Sequence, residues 1–173
     1  MLDCARKYFT PTQIKSLIDR ISVIGYNALN LHLSDICGFR IESKIYPWLA
    51  GGDHSLCVYG AANGMPENDG KFITQDEMAD IVRFAQSEGV EVIPSFDSPG
   101  HMNYAVKKYN AQTGSDISNY FHKDGKKSIV QGSSIKKEPA QYTFARGIDI
   151  SNAEAVEFAR NLYAEYGRFF YSL

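Results

Sequence analysis

The stretch "EVIPSFDSPGHM", residues Glu91 to Met102, decides how the chain folds. Its start, Val92-Ile93, is apolar enough for a buried strand, but it ends in Asp97, a Pro99-Gly100 turn and His101. A strand that only fills a core gains nothing from an aspartate and a histidine at its exit. Polar groups at the carboxyl end of a strand are typical of α/β enzymes, because there the chain leaves the packed sheet and faces a ligand.

The region before this stretch predicts a helix followed by a strand. Residues Thr12 to Ile24 carry apolar side chains at helical spacing, and Thr10-Pro11 supplies an N-cap with proline in the first turn. Gly25 is a helix stop signal. Residues Tyr26 to Leu33 then alternate with period two, which predicts a strand with leucines on one side and Asn30 and His32 on the other.

A second helix is expected after a long irregular segment, Ser34 to Ile73. Thr74 and Glu77 have the spacing of a capping box, and apolar residues at helical spacing continue to about Glu88. Val90 to Phe96 is predicted to be the next strand.

The last third of the chain is expected to be a loop followed by a helix. We predict the loop over about 110 to 147, and a helix that begins at Ser151, with Glu154 in the capping-box position, and runs to about Phe170.

This alternation of strands and helices predicts an α/β protein with parallel strand pairing. Long loops after the strands and tight turns after the helices favour a (β/α)8 TIM barrel. A whole barrel normally needs about 250 residues, whereas this chain has 173. We therefore expect a partial barrel, about the first three of its βα units.

Composition excludes several classes of function. A net charge of −2 gives no strongly basic face for nucleic acid, and the lysines of Lys123 to Lys137 are interpreted as a solvated loop. An odd count of three cysteines argues against a disulfide framework. No apolar run approaches a membrane span, and Met1 is not followed by the basic start and apolar stretch of a signal peptide.

Three clusters of polar residues are predicted at strand ends. They contain Arg6, His32 with Asp35, and Asp97 with His101. Each has an ordinary structural explanation: a surface charge, a buried histidine with a turn aspartate, or a loop pair. Three such clusters on successive strand ends are less easily explained by structure alone.

Taken together, these clusters resemble the family 20 glycoside hydrolases, the β-N-acetylhexosaminidases. The similar segments are "MLDCARKYFTPTQIKSLIDRI", "NALNLHLSDICGFRIES", "EVIPSFDSPGHM" and "IDISNAEAVEFARNLYAEYGRFF". They are closest in style to the dispersin-like and lacto-N-biosidase-like branch. The resemblance implies that residues 1–173 are the amino-terminal portion of a catalytic (β/α)8 barrel, truncated before its fourth strand.

The resemblance also implies roles for individual residues. Arg6 matches an arginine that holds the hydroxyls of the terminal sugar, which suits the fixed donors of a guanidinium. Asp35 and His101 match a pair that supports the general acid: the carboxylate orients the histidine, and the histidine contacts the catalytic carboxyl group. Asp97 and His32 match positions near the pocket, and we expect Asp97 to be structural.

Two positions depart from the family pattern. The family usually has glutamate where Ser95 stands, and commonly a second acidic residue where Ile36 stands. Both differences remove negative charge beside the expected pocket.

The family's adjacent Asp-Glu pair has no counterpart on this chain. By resemblance, the enzyme hydrolyses terminal β-linked N-acetylhexosamine (GlcNAc/GalNAc or lacto-N-biose type) from glycans by a retaining, substrate-assisted mechanism. The pair would lie beyond Leu173, so the chain alone is expected to be inactive. Asp76-Glu77 and Asp19-Arg20 are predicted on helices and cannot replace it.

Two other functions remain open at this stage. The chain could be a sugar-binding or barrel-completing module without catalysis. It could instead be a metal-dependent hydrolase that uses His32, Asp35, Asp97 and His101 as ligands, but it lacks an HxH or HExxH pattern.

We therefore predict no metal, no cofactor and no nucleic-acid partner. An unpaired strand edge is expected to make the chain self-associate. The location stays open; for a full-length bacterial protein we expect secretion or a place at the cell surface.

Overall fold

Strands and helices alternate along the chain. The computed structural model describes residues 1–56, 69–118 and 147–173, and the backbone of two short strands at 121–123 and 126–128. The elements are β1 (Leu2–Asp3), α1 (Pro11–Val23), β2 (Ala28–Asp35), β3 (Gly38–Phe39), β4 (Gly51–Gly52), a 3-10 helix (His54–Leu56), α2 (Gln75–Ser87), β5 (Glu91–Phe96), α3 (Asn103–Thr113), β6 (Phe121–Lys123), β7 (Lys126–Ser128) and α4 (Ala153–Tyr171).

The centre of the sheet is three parallel strands in the order β1-β2-β5. In the chain, α1 lies between β1 and β2, and α2 lies between β2 and β5. The predicted parallel pairing is therefore confirmed for these strands. The segment predicted as irregular, Ser34 to Ile73, adds β3 and β4, which pair antiparallel at the carboxyl end of β2.

The first two predicted helix starts are confirmed. Thr10 caps α1 with Pro11 in the first turn, and Gln13 completes a capping box that the sequence analysis did not identify. Thr74 and Glu77 form the predicted capping box of α2. Both boxes satisfy backbone N–H groups that otherwise have no partner at a helix start.

The start of α4 was predicted wrongly. Its N-cap is Asn152, whose side chain accepts a hydrogen bond from the Glu154 N–H, and not Ser151. The reason is competition: the Ser151 hydroxyl and N–H both donate to Asp149 Oδ1, at 2.6 and 2.9 Å. Ser151 therefore belongs to the preceding turn.

Helix α3 was not predicted, and the predicted loop from about 110 overlaps its last turn. Its N-cap residue, Met102, makes no side-chain capping bond, so the usual start signal is missing. The helix ends at Gly114, whose φ of 76° is left-handed. Residues 119–146 of the predicted loop, with Lys123 to Lys137, lie outside the described residues except for the backbone of β6 and β7.

The core lies between the leucine side of β2 and the helices. Leu31 and Leu33 are fully buried and belong to one cluster with Ile14 and Ile18 of α1. From α2 this cluster receives Met78, Ile81, Val82 and Ala85. The other side of β2, with Asn30 and His32, is thereby left for polar contacts.

The cysteines differ from expectation at one position. Cys37 is disulfide-bonded, so the argument against disulfides from the odd count was wrong for this residue. Cys57 lies outside the described residues. Cys4 is free, and its burial raises the pKa of the thiol to about 12. Among the described helices, none is long and apolar enough to cross a membrane.

Candidate functional site

The carboxyl ends of the three parallel strands lie side by side. Asp3 of β1 is level with His32 of β2, which in turn is level with Ser95 of β5. The register brings the three predicted clusters together at one edge of the sheet. We call Asp3, Arg6, His32, Asp35, Asp97 and His101 the polar cluster.

Asp35 is the centre of the polar cluster. Its side chain is only 1% exposed. Oδ1 accepts hydrogen bonds from the Ile36 N–H at 2.6 Å and His101 Nδ1 at 3.0 Å. Oδ2 accepts from His32 Nε2 at 3.1 Å and pairs with the Arg6 guanidinium. Burying a carboxylate without hydrogen-bond or charge partners is costly, and Asp35 has such partners on both oxygens.

Arg6 joins the polar cluster to solvent. Its side chain is 48% exposed, and Nη1 lies 2.7 Å from Asp3 Oδ2 while Nη2 pairs with Asp35. Partial burial lowers the pKa of Arg6, but the hydrogen bond to Asp3 and the charges of Asp35 and Asp97 outweigh it and raise the pKa. A guanidinium has five donors, so this fixed group keeps N–H groups for a ligand.

Asp97 and His101 form the outer part of the polar cluster. Asp97 Oδ2 lies 3.6 Å from His32 Nε2 and 3.5 Å from His101 Nδ1. The Asp97 N–H donates to Ser34 Oγ at 3.1 Å, which fixes the chain where it leaves β5. His101 has a φ of 57°, which is uncommon for a residue with a side chain. Its imidazole is half exposed, beside Asp35.

The geometry disfavours a metal site. Ligand atoms of His32, Asp35 and Asp97 lie within 4.8 Å of one another, a spacing that a divalent cation could bridge. However, Asp35 already accepts from four donors, and one of them is the cationic Arg6. A cation at this point would be repelled by that charge and would have to displace hydrogen bonds. The residues fit a hydrogen-bonded ionic cluster better than a metal centre.

A second arginine, Arg40, lies next to the polar cluster and was not predicted to matter. It is fully buried. Its guanidinium donates to Asp69 through two nitrogens at 2.5 and 3.0 Å, to Lys71 O at 2.8 Å and to Ala5 O at 3.2 Å. His54 Nε2 contacts Asp69 at 3.2 Å. Arg40 thus fixes the backbone directly before Arg6.

The sequence carries a partial signal for Arg40. Gly52 lies against the guanidinium: an added Cβ there would lie 2.2 Å from Arg40 Nη2. The paired glycines Gly51-Gly52 indicate close backbone approach, but nothing in the sequence says that an arginine fills the space.

A groove of about 410 Å³ lies at the other end of β5. It is lined mainly by apolar side chains of α2, β5 and the end of α4, including Val82, Val92, Phe170 and Leu173. None of the polar cluster lines it. The Asp76-Glu77 and Asp19-Arg20 segments lie on α2 and α1, as predicted.

Comparisons with known proteins agree with one another. Residues 1–172 match the sequence model for "Glycosyl hydrolase family 20, catalytic domain". A β-hexosaminidase of Vibrio furnissii is 35% identical over 113 residues, covering 62% of this chain and 18% of the relative. A β-N-acetylhexosaminidase of Cellulomonas fimi is 32% identical over 112 residues, covering 65% and 21%.

Solved structures resemble the whole chain. The β-N-acetylhexosaminidase of Streptomyces coelicolor has a TM-score of 0.67 and 25% identity, covering 98% of this chain and 30% of that one. A β-hexosaminidase variant of Streptomyces plicatus, solved in complex with its product GlcNAc, has a TM-score of 0.66 and 27% identity, covering 98% and 29%. The chain therefore spans about a third or less of these relatives.

Proposed function

Because the chain belongs to glycosyl hydrolase family 20, we propose that residues 1–173 are the amino-terminal portion of a catalytic (β/α)8 barrel. The barrel would hydrolyse terminal β-linked N-acetylhexosamine, of GlcNAc/GalNAc or lacto-N-biose type, from glycans. The observation that carries this proposal is the polar cluster at the carboxyl ends of three adjacent parallel strands. In barrels of this class the active site is built at that end.

Arg6 is proposed to bind the terminal sugar. Two carboxylates hold the guanidinium, and its half-exposed face keeps donors for a pair of neighbouring hydroxyls. The Streptomyces plicatus complex, in which the related enzyme holds GlcNAc, supports a sugar ligand of this kind.

His101 and Asp35 are proposed to support the general acid. His101 uses Nδ1 to contact Asp35, so its Nε2 remains available on a half-exposed ring. A catalytic carboxyl group placed against Nε2 would be oriented by this pair, and its pKa would respond to the charge of Asp35.

The proposed reaction needs two carboxyl groups besides the polar cluster. In the substrate-assisted mechanism the acetamido oxygen of the sugar attacks the anomeric carbon, an aspartate orients that acetamido group, and a glutamate protonates the leaving oxygen. We propose that this Asp-Glu pair lies outside residues 1–173 and that these residues alone are inactive. General acid catalysis alone is typically worth about 10²- to 10⁴-fold in rate.

An assay on an aryl β-N-acetylglucosaminide tests this proposal. The 173-residue chain is compared with the product of the complete gene at equal concentration. We expect hydrolysis only by the latter. Turnover by the 173-residue chain that a thiazoline inhibitor abolishes would contradict the proposed inactivity. Absence of turnover by both, with the product of the complete gene folded, would contradict the proposed activity.

A further inference from the structure

We propose that Ser95 is a positioning residue that fixes the ring of His32 and, through it, the carboxylate that anchors Arg6. The inference rests on the proposed function only in its consequence for sugar binding. Its structural part concerns consecutive hydrogen bonds from Ser95 in β5 to His32 and Asp35 in β2, which do not depend on the proposed activity.

The first of these hydrogen bonds joins two side chains on neighbouring strands. Ser95 of β5 and His32 of β2 are level in the parallel register. Ser95 Oγ lies 3.3 Å from His32 Nδ1, and the opposite ring nitrogen, Nε2, lies 3.1 Å from Asp35 Oδ2. The imidazole is therefore held at both nitrogens, and its side chain is only 11% exposed.

The Asp35 carboxylate determines which atom donates in each of these hydrogen bonds. An ionised Asp35 only accepts hydrogen bonds, so Nε2 of His32 must carry the proton. In the neutral ring Nδ1 is then an acceptor, and the Ser95 hydroxyl is the donor that matches it. Ser95 thus holds the ring in the orientation in which Nε2–H reaches Asp35.

The hydroxyl can also serve the charged ring. It has alternative acceptors in Asn30 Oδ1 at 3.1 Å and Leu31 O at 3.4 Å. When its proton points to Asn30, Ser95 Oγ is free to accept from an Nδ1–H of His32. A single rotating hydroxyl therefore keeps both ring nitrogens bonded in either state.

The position of His32 affects Arg6 because both residues contact the same atom of Asp35. Asp35 Oδ2 accepts from His32 Nε2 and also pairs with Arg6. The Asp35 side chain is 1% exposed, so water cannot easily replace a lost donor. A rotated His32 would remove one of the two partners of Asp35 Oδ2, and the Arg6 guanidinium that shares this atom would shift from the orientation that presents its remaining N–H groups.

The test is the hydrogen bond from His32 Nε2–H to Asp35, read from the ¹H and ¹⁵N shifts and line widths of the imidazole by NMR on the 173-residue chain at pH 8. We expect one sharp Nε2–H signal in the unchanged chain, a signal broadened by ring motion and by faster exchange with water in Ser95→Ala, and a return to the sharp signal in Ser95→Thr, which keeps the hydroxyl. Ser87→Ala is the matched control, because it removes a hydroxyl that donates to Phe84 O at the end of α2.

A His32 Nε2–H signal with unchanged shifts and line width in Ser95→Ala would overturn the proposal. If Ser95→Ala does not fold, Ser95→Cys keeps the side-chain size with a weaker donor and should give an intermediate line width. A Ser95→Cys spectrum identical to that of the unchanged chain would then overturn it.

The functional arm uses the product of the complete gene. Ser95→Ala should raise KM for the aryl β-N-acetylglucosaminide by about 2- to 10-fold with little change in kcat, the worth of one neutral hydrogen bond. If that protein is not a hexosaminidase, this arm gives no turnover while the NMR arm still gives its result. The two failures are therefore distinguishable.

Discussion

Arg6 and Arg40 are both paired with aspartates, but they have opposite surroundings. The Arg6 side chain is 48% exposed and pairs with Asp3 and Asp35 from one side. The Arg40 side chain is 0% exposed, and all three of its nitrogens donate to protein oxygens. Arg6 is therefore held in position but open to solvent, whereas Arg40 is completely enclosed by protein.

This difference in exposure indicates a ligand-binding role for Arg6 and a structural role for Arg40. An arginine that is anchored but open can offer donors to a ligand, whereas an enclosed one can only hold its neighbours. The two are connected, because Arg40 Nε donates to Ala5 O, directly before Arg6. Arg40 thus supports the site without being part of its surface.

The largest expected effect is on stability, from Arg40→Ala. Removing the guanidinium leaves Asp69 buried beside His54 without its cation. Breaking a buried pair in this way typically costs about 3–5 kcal/mol of unfolding free energy. Urea denaturation followed by circular dichroism measures it, with Arg6→Ala as the comparison that should lose less, because Asp35 keeps three other donors, Ile36 N–H, His32 and His101. Equal losses in both variants would remove the distinction between the two arginines.

A smaller loss is expected from Gly52→Ala. The added Cβ would lie 2.2 Å from Arg40 Nη2, so the buried guanidinium would have to move. Overpacking of this kind typically costs about 1–3 kcal/mol. Gly167→Ala is the matched control, since a Cβ there meets nothing within 4 Å and the residue lies in α4. Its unfolding midpoint should rise or stay constant, and a fall as large as that of Gly52→Ala would contradict the crowding argument.

Acid should weaken the Arg40 network. Burial alone raises the pKa of Asp69, but the hydrogen bonds and charge of Arg40 outweigh it, so the folded-state pKa is lowered. The resulting stabilisation is present above the unfolded pKa of about 3.9 and is lost as pH falls through the lower folded value. Unfolding free energies measured from about pH 5 downwards should show this loss, and Asp69→Asn should reduce the slope. An unchanged slope in Asp69→Asn would show that other carboxylates, such as Asp53, dominate.

The smallest effect on stability is expected from Arg6→Lys. Lysine keeps the positive charge beside Asp35 but loses the two-nitrogen fork that reaches Asp3 as well. The unfolding free energy should stay within about 0.5 kcal/mol, while KM in the product of the complete gene rises. An unchanged KM would mean that charge alone, without the fork, accounts for sugar binding.

Much of this arrangement could be predicted from the sequence where the signal is local. Thr10 and Thr74 mark helix starts because their caps lie within one turn. The meeting of Arg6, Asp35 and His101 follows from parallel strands that end at the same edge.

The features that were missed depend on distant or competing partners. Arg40 pairs with Asp69, which lies 29 residues further along the chain. Its burial depends on the antiparallel pairing of β3 with β4. Ser151 has the residue type of a helix cap, but Asp149 takes its hydroxyl. The contact between Ser95 and His32 needs the strand register, which periodicity alone does not provide.

Arg6→Ala in the product of the complete gene tests most directly whether the exposed arginine binds sugar. KM for an aryl β-N-acetylglucosaminide and the urea unfolding midpoint are measured on the same preparation. We expect KM to rise by about 10- to 100-fold, which corresponds to the loss of hydrogen bonds from a charged donor, and the midpoint to fall less than in Arg40→Ala, because Asp35 keeps three other donors. An unchanged KM, or a midpoint that falls as far as in Arg40→Ala, would contradict the division between a binding and a structural arginine.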